Sequence, residues 1–207
     1  MNSKRPRRPG RPRLDDHGTP LQTVIVQTAA RMFMEQGFEA ISLQLIAKAC
    51  AVTKATIYYY YSNKAELFTA AVVQVLEKGH YFTQQHLLAP VSFKEQLQAI
   101  AVSKMQQSHV DMETMMREAE AQLSTEQMEQ IRQAEQHIHD LLAEYFEISI
   151  GQGIIRAGNA MMMAHAFSAL VMLGNRDSAV QLYASKQQLA EAVVDMFWSG
   201  ISIPTNG

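Results

Sequence analysis

Cysteine is nearly absent: Cys50 is the single one in 207 residues. No intramolecular disulfide can form and no set of thiolates can hold zinc, which suits a reducing compartment and gives a cytoplasmic expectation. Long apolar runs are missing too, and nothing approaches the roughly 20 residues of a membrane-spanning helix. The basic N-terminus is not followed by the apolar stretch of a secretory signal. Alternating strand patterns are not evident. No GxxxxGK[ST] phosphate loop, GxSxG elbow or HExxH pair occurs, so catalysis, a cofactor, a catalytic metal and a membrane partner all lack support.

Charge is present but unevenly placed. Through Ala70 ten Lys and Arg face five Asp and Glu, and from Ala71 onward eight face fifteen, behind a net charge of -2. A polyanion would be drawn to the front end, and the acidic body would limit adhesion elsewhere. The arm Lys4-Arg5-Pro6-Arg7-Arg8-Pro9-Gly10-Arg11-Pro12-Arg13 concentrates this charge. It reads equally as a solvated tail or as a nucleic-acid contact.

Almost every segment beyond the arm shows helical spacing bounded by capping residues. Thr19-Pro20 offers an N-cap and a first-turn proline for a helix with Val24, Ile25, Ala29, Met32 and Phe33 on one stripe, ending at Gly37. Ser42 caps a second helix, Thr53 a third, and Asn63 with Glu66 a fourth that runs towards Leu88 and is closed by Pro90. Ser92 with Glu95, Ser124 with Gln127 and Ser185 with Gln188 repeat the signature, while Gly151, Gly153, Gly174 and Gly200 offer stops. The expectation is an all-α protein of about nine helices.

Two short helices joined by a tight turn can set the later one into a major groove. Leu43, Ile46, Ala47, Val52 and Ile57 have the placement to pack such a pair into a rigid corner. Thr53, Lys54 and Thr56 lie in the first turn of the later helix, with reach to phosphates or base edges. Tyr58, Tyr59 and Tyr60 add phenols and rings that can meet phosphates and thymine methyls. Because Tyr58 and Tyr61 are three apart they could instead share a buried stripe; we expect Tyr61 buried, Tyr59 exposed, and Tyr58 and Tyr60 on the DNA side.

The segment from residue 25 to 68 resembles the head of the TetR family of bacterial transcription regulators. The resemblance rests on Ala29-Ala30, Phe33, Gly37-Phe38, Ser42, Ile46-Ala47, Ala49, Val52-Thr53-Lys54, Thr56-Ile57-Tyr58, Ser62-Asn63-Lys64 and Leu67-Phe68. It implies a three-helix helix-turn-helix head over residues 19–70, after a flexible basic arm over 1–18 and before a helical ligand-binding and dimerisation body over 71–207. By this resemblance Tyr61 takes the place of a core Phe, and Lys64 contacts phosphate. Ser42 and Ala55 join the DNA-facing set of Thr53, Lys54, Thr56, Tyr58, Tyr59 and Tyr60. Ala51 stands where the family commonly has Gly; a left-handed Ala would cost about 1 kcal/mol, or the turn is wound differently. Pro9-Gly10-Arg11-Pro12-Arg13 resembles the core of AT-hook peptides and the arms of some family members, which makes Arg11 and Arg13 the candidate minor-groove contacts.

The body is rich in methionine, including Met105, Met112, Met115, Met116, Met161, Met162, Met163 and Met172. Such side chains fill ordinary helix cores and also line adaptable apolar cavities. The family resemblance implies a small-molecule effector in this body, with a cavity expected among Met105, His109, Met112, Met116, Tyr145 and Phe167. His137 and His139, two apart, point to different sides of a helix rather than chelating a metal together. The resemblance also implies a homodimer formed by the last two long helices. The expected interface there is Ala164, Phe167, Leu170, Leu189, Val193, Met196 and Phe197, the alternative being that this stripe packs inside one subunit. The reading is a repressor that binds a palindromic DNA operator as a homodimer and is released by a small hydrophobic effector; its rivals are a DNA-binding regulator with no effector and a helical enzyme or ligand carrier whose head mimics the motif.

Overall fold

The computed structural model describes residues 20–106 and 112–203. Among them the chain is all-helical, with one isolated antiparallel bridge between Ile155 and Ser202 that ties a loop to the end of the last helix. The helices are α1 (Leu21–Gln36), α2 (Leu43–Ala49), α3 (Lys54–Tyr60), α4 (Lys64–Leu87), α5 (Phe93–Gln106), α6 (Met112–Ala119), α7 (Thr125–Gly151), α8 (Ala160–Val171), the one-turn α9 (Asp177–Val180) and α10 (Lys186–Ile201). Short 3-10 turns follow α6 and α8.

The expected caps form where their side chains can reach an orphan N–H. Ser42, Thr53, Asn63, Ser92, Ser124 and Ser185 each accept from the backbone N–H three residues on, and Asn159 does the same without having been expected. Each such cap is worth about 1 kcal/mol. Three details differ from the sequence expectation. Pro20 is itself the N-cap of α1 rather than its first-turn residue, and Thr19 lies outside the described residues. Glu66 turns its carboxylate to the N–H of Ser62 at 2.7 Å and to the Ser62 hydroxyl, not to Asn63. Gly200 is no stop, since α10 continues to Ile201.

Two apolar clusters form the interior. In the first, α1, α2 and α3 close over the start of α4, with Phe33, Phe38 and Phe68 mutually in contact at ring separations of 4.9 to 6.0 Å. In the second, α5, α7, α8 and α10 enclose Phe93, Phe146, Phe167 and Phe197. The long α4 enters both, through Leu67, Phe68, Ala71 and Val72 at one end and Leu87 at the other. Met115 and Ala119 of α6 are buried in the first cluster, although α6 follows the body's first helix in the chain.

The dimer expectation is corrected on this point. Ala164, Phe167, Leu189, Val193 and Phe197 are buried inside the protomer, and Leu170 is half-buried. The α8 and α10 stripe that the sequence marks as apolar is therefore the inward one. Of the expected set only Met196, 57% exposed, faces outward. The outward face of the same helices carries Met162 and Ala169 on α8, Met172 at its C-cap, and Met196 with Gly200 on α10.

The turn after α2 settles the question at Ala51. Its φ is 54°, the one left-handed non-glycine residue among those described. The N–H of Val52 reaches the Ala47 carbonyl at 2.9 Å and the N–H of Ala51 the Lys48 carbonyl at 3.1 Å, the paired bonds of a Schellman C-cap with alanine at the position glycine favours. Ala51→Gly is expected to raise stability by up to about 1 kcal/mol, relief of the left-handed strain outweighing the added entropy of the unfolded chain. Urea unfolding checks this; an unchanged or lower midpoint contradicts it.

Candidate nucleic-acid interface

The corner of α2 and α3 is held from behind by Leu43, Ile46, Ala47 and Ile57, all buried in the head cluster, with Val52 packed against it. Burial on one side leaves the other side of α3 to solvent. Thr53, Lys54 and Ala55 are exposed in its first turn. The Thr53 hydroxyl accepts from the Thr56 N–H at 3.1 Å and lies 2.8 Å from the Thr56 hydroxyl, so each threonine fixes the other's rotamer. Thr53 is thus a cap as well as a surface group.

The four tyrosines separate. Tyr59 is 82% exposed and Tyr58 48%, whereas Tyr61 is 5% exposed and receives a bond at 3.4 Å from the Gln22 amide. Burial pushes the Tyr61 phenol up from its ordinary value. Tyr60 is half-buried, packed on the head core and edge-on to Tyr59 at 5.0 Å. It braces Tyr59 and stays partly open to solvent beside it. Lys54 rests its ammonium 5.6 Å from the Tyr58 ring centre, a cation–π contact loose enough to break for a phosphate.

A shallow groove of ≈ 350 Å³ runs between the starts of α2, α3 and α4, lined by Ser42, Gln44, Lys54, Tyr58, Asn63 and Lys64 among others. Two lysines and two capped helix starts at one concavity favour an oxyanion there. Lys64 is less free than a surface lysine. Its ammonium lies 4.0 Å from the centre of the Phe38 ring. Burial pushes its value down, with Glu39 and Glu118 opposing. Gln44 is the residue in this groove that the sequence reading passed over; its position two after the Ser42 cap was the available signal.

Above the groove, the α1–α2 turn is held by the body. Glu118 of α6 accepts from the backbone N–H of Phe38 at 3.0 Å and of Glu39 at 3.2 Å. Residues this far apart in sequence left no local signal.

The effector-cavity expectation is not brought together at one place. Met105 and Phe167 are buried in the body cluster and Tyr145 packs on it, but Met116 packs on the head cluster instead. His109 lies outside the described residues, as does the side chain of Met112. A larger open groove of ≈ 570 Å³, between α4, α5 and α10, is lined by His86, Gln98, Val102, Gln106, Glu191 and Asp195 among others, and by none of the expected cavity residues. Arg11 and Arg13 also lie outside the described residues.

With this geometry in view, the family model described as "Bacterial regulatory proteins, tetR family" matches residues 25–71. The HTH-type transcriptional regulator UidR of Escherichia coli (strain K12) is 34% identical over 60 residues, 29% of this chain and 31% of the relative. The match therefore spans about a third of that curated relative. Likeness in fold extends much further. The reduced form of Escherichia coli NemR aligns with a TM-score of 0.75 at 15% identity, covering 89% of this chain and 100% of that one. A transcriptional regulator from Saccharomonospora viridis, solved in complex with choline, aligns with a TM-score of 0.72 at 18% identity over 88% and 98% of the two chains. The head is a helix-turn-helix unit on an all-helical body. The head is thus similar to that of the TetR family over residues 25–71, and the chain as a whole shares the fold of these solved structures.

Tyr59→Ala is expected to weaken duplex binding by about tenfold, in line with a lost base or phosphate contact of roughly 1–3 kcal/mol, and to leave the melting temperature nearly unchanged. Tyr60→Ala, which removes a packed ring, is expected to lower the melting temperature. Fluorescence anisotropy and thermal melts of both variants check the pair; a large loss of stability in Tyr59→Ala contradicts the assignment.

Proposed function

We propose that the chain is a transcriptional regulator that binds a palindromic operator in double-stranded DNA as a homodimer, represses from it, and is released by a small-molecule effector. It acts in the cytoplasm and performs no catalysis. The observation that carries this is the face of α3. It offers Thr53, Lys54, Ala55, Tyr58 and Tyr59 to solvent from a corner fixed by buried side chains, as reading base edges in a major groove requires. Ser42 and Lys64 serve phosphate at the groove beside it, and Arg11 and Arg13 of the arm serve the minor groove.

We keep the division into a basic arm over 1–18, a head over 19–70 and a body over 71–207. The outward apolar face of α8 and α10 supports the dimer, with Met162, Ala169, Met172 and Met196 in place of the buried residues the sequence indicated. Small side chains at Ala169 and Gly200 let helices of two subunits approach closely. The dispersal of the expected cavity residues favours, as a second reading, a regulator without an effector; the choline bound to the Saccharomonospora viridis protein supports the first.

The test is anisotropy of the purified protein on its own upstream intergenic DNA against a scrambled duplex at two salt concentrations. A preference of ~10³ or more is expected, and equal, salt-sensitive binding to both contradicts sequence-specific regulation. Removal of residues 1–13 is expected to lower affinity and flatten its dependence on salt; an unchanged slope takes the arm out of the interface. The double variant Met162→Asp with Met196→Asp is expected to halve the mass seen in light scattering while leaving helicity intact. A dimer that survives both charges contradicts the interface.

A further inference from the structure

Where α5, α7 and α8 meet, the body carries a polar group that the head's function does not use. Lys104 of α5 is half-buried, yet among the described residues its ammonium makes no hydrogen bond and no ion pair within 4.0 Å. Beside it, the imidazole of His139 on α7 lies against that of His165 on α8, their centres 4.1 Å apart. Ala101, one turn before Lys104, and Leu142, one turn after His139, are buried on the same helix faces and supply an apolar floor.

These side chains are unlike a core or a metal site. Ammonium groups donate and never accept, and protonated imidazoles do the same, so one carboxylate can satisfy them together through charge-assisted bonds. Among the described residues no three His, Cys, Asp or Glu are placed to hold a metal ion. Glu135 and Asp140 are the carboxylates in range on α7, both exposed, and Asp140 already accepts from the Gln136 amide at 2.8 Å. Burial pushes the Lys104 ammonium down against the pull of Glu135. Burial is also the main cause that pushes His139 down, reinforced by His165 and Lys104 and opposed by Glu135 and Asp140. An arriving anion would reverse that tendency for the imidazole. The two rim carboxylates favour a singly charged head group over a doubly charged phosphate.

We propose that Lys104, His139 and His165 form the head-group subsite of the effector site and that the effector is a small organic carboxylate. This rests on the effector-responsive reading above. It assigns the ligand a chemical class, an apolar body lying along the helices with its carboxylate on Lys104. Proton uptake by His139 follows, so binding strengthens as pH falls through the histidine range.

Calorimetric titration of the full-length protein with octanoate and with 1-octanol, at about the ordinary histidine value, tests this. Octanoate is expected to bind about tenfold more tightly than octanol. Lys104→Met is expected to erase that preference, while Glu135→Gln keeps or increases it. Equal binding of the two probes, no binding of octanoate, a preference that survives Lys104→Met, or tighter binding of octyl phosphate than of octanoate each overturns the assignment. Loss of the preference in Glu135→Gln as well would make Lys104 and Glu135 a structural pair and overturn it too. The titration contains no DNA. Failure of operator binding with the carboxylate preference intact would therefore remove the regulator reading alone, and operator binding without that preference would remove this one alone.

Discussion

The carboxylate of Glu118 is the contact on which the relation of head to body depends. It takes the N–H groups of Phe38 and Glu39, backbone donors in the turn between α1 and α2 that have no helix to satisfy them. Gly37 makes the approach possible twice over: its φ of 84° favours glycine, and a Cβ there would come within 3.1 Å of the same carboxylate oxygen. Three residues before Glu118 and one after it, Met115 and Ala119 are buried among the head's side chains. A helix that belongs to the body in sequence thus completes the core of the head. Lys64, held over Phe38 in the field of Glu118 and Glu39, adds a counter-charge at the same place.

Two routes then connect the body to the exposed surface of α3. One is α4, whose ends are buried in different clusters; the other is α6 with its carboxylate on the α1–α2 turn. Both reach the same groove, α4 by its first turn and α6 through the turn that precedes α2. Under the proposed function, a ligand that favours one packing of the body would bias the head through these elements, which is a population shift. The corner itself has little freedom. The paired caps of the α2 C-terminus, the mutual bond of Thr53 and Thr56 and the tie of Ser62 to Glu66 fix the angle at which α3 is presented.

What the sequence revealed divides along the range of the interactions. Caps are local, and Ser42, Thr53, Asn63, Ser124 and Ser185 all cap the helices expected of them. Ala51 stayed open between a left-handed alanine and a differently wound turn, and its φ of 54° decides for the first. Tyr59 is exposed and Tyr61 buried as expected, but Tyr58 does not share Tyr61's stripe, because the chain leaves the helix at Tyr61 in an extended conformation. Periodicity does not tell which burial is meant. Ala164, Phe167, Leu189, Val193 and Phe197 form an apolar stripe whether they face their own protomer or a second one, and the outward face, with Met162, Ala169 and Met196, looks weaker by composition. Met116 and Glu118 were out of reach for a different reason: their partners lie in the head, with 80 residues separating Glu118 from Phe38. Nothing local marks such a contact.

Amide hydrogen exchange resolved at Phe38 and Glu39, in the protein and in its Glu118→Ala variant, tests the joint most directly. If the carboxylate holds the turn, both amides exchange as slowly as those of the α1 core. The variant then releases these two while the amides inside α1 and α4 keep their protection. Fast exchange at both positions in the unaltered protein, or slow exchange that survives the loss of Glu118, would contradict a head held by the body through this contact.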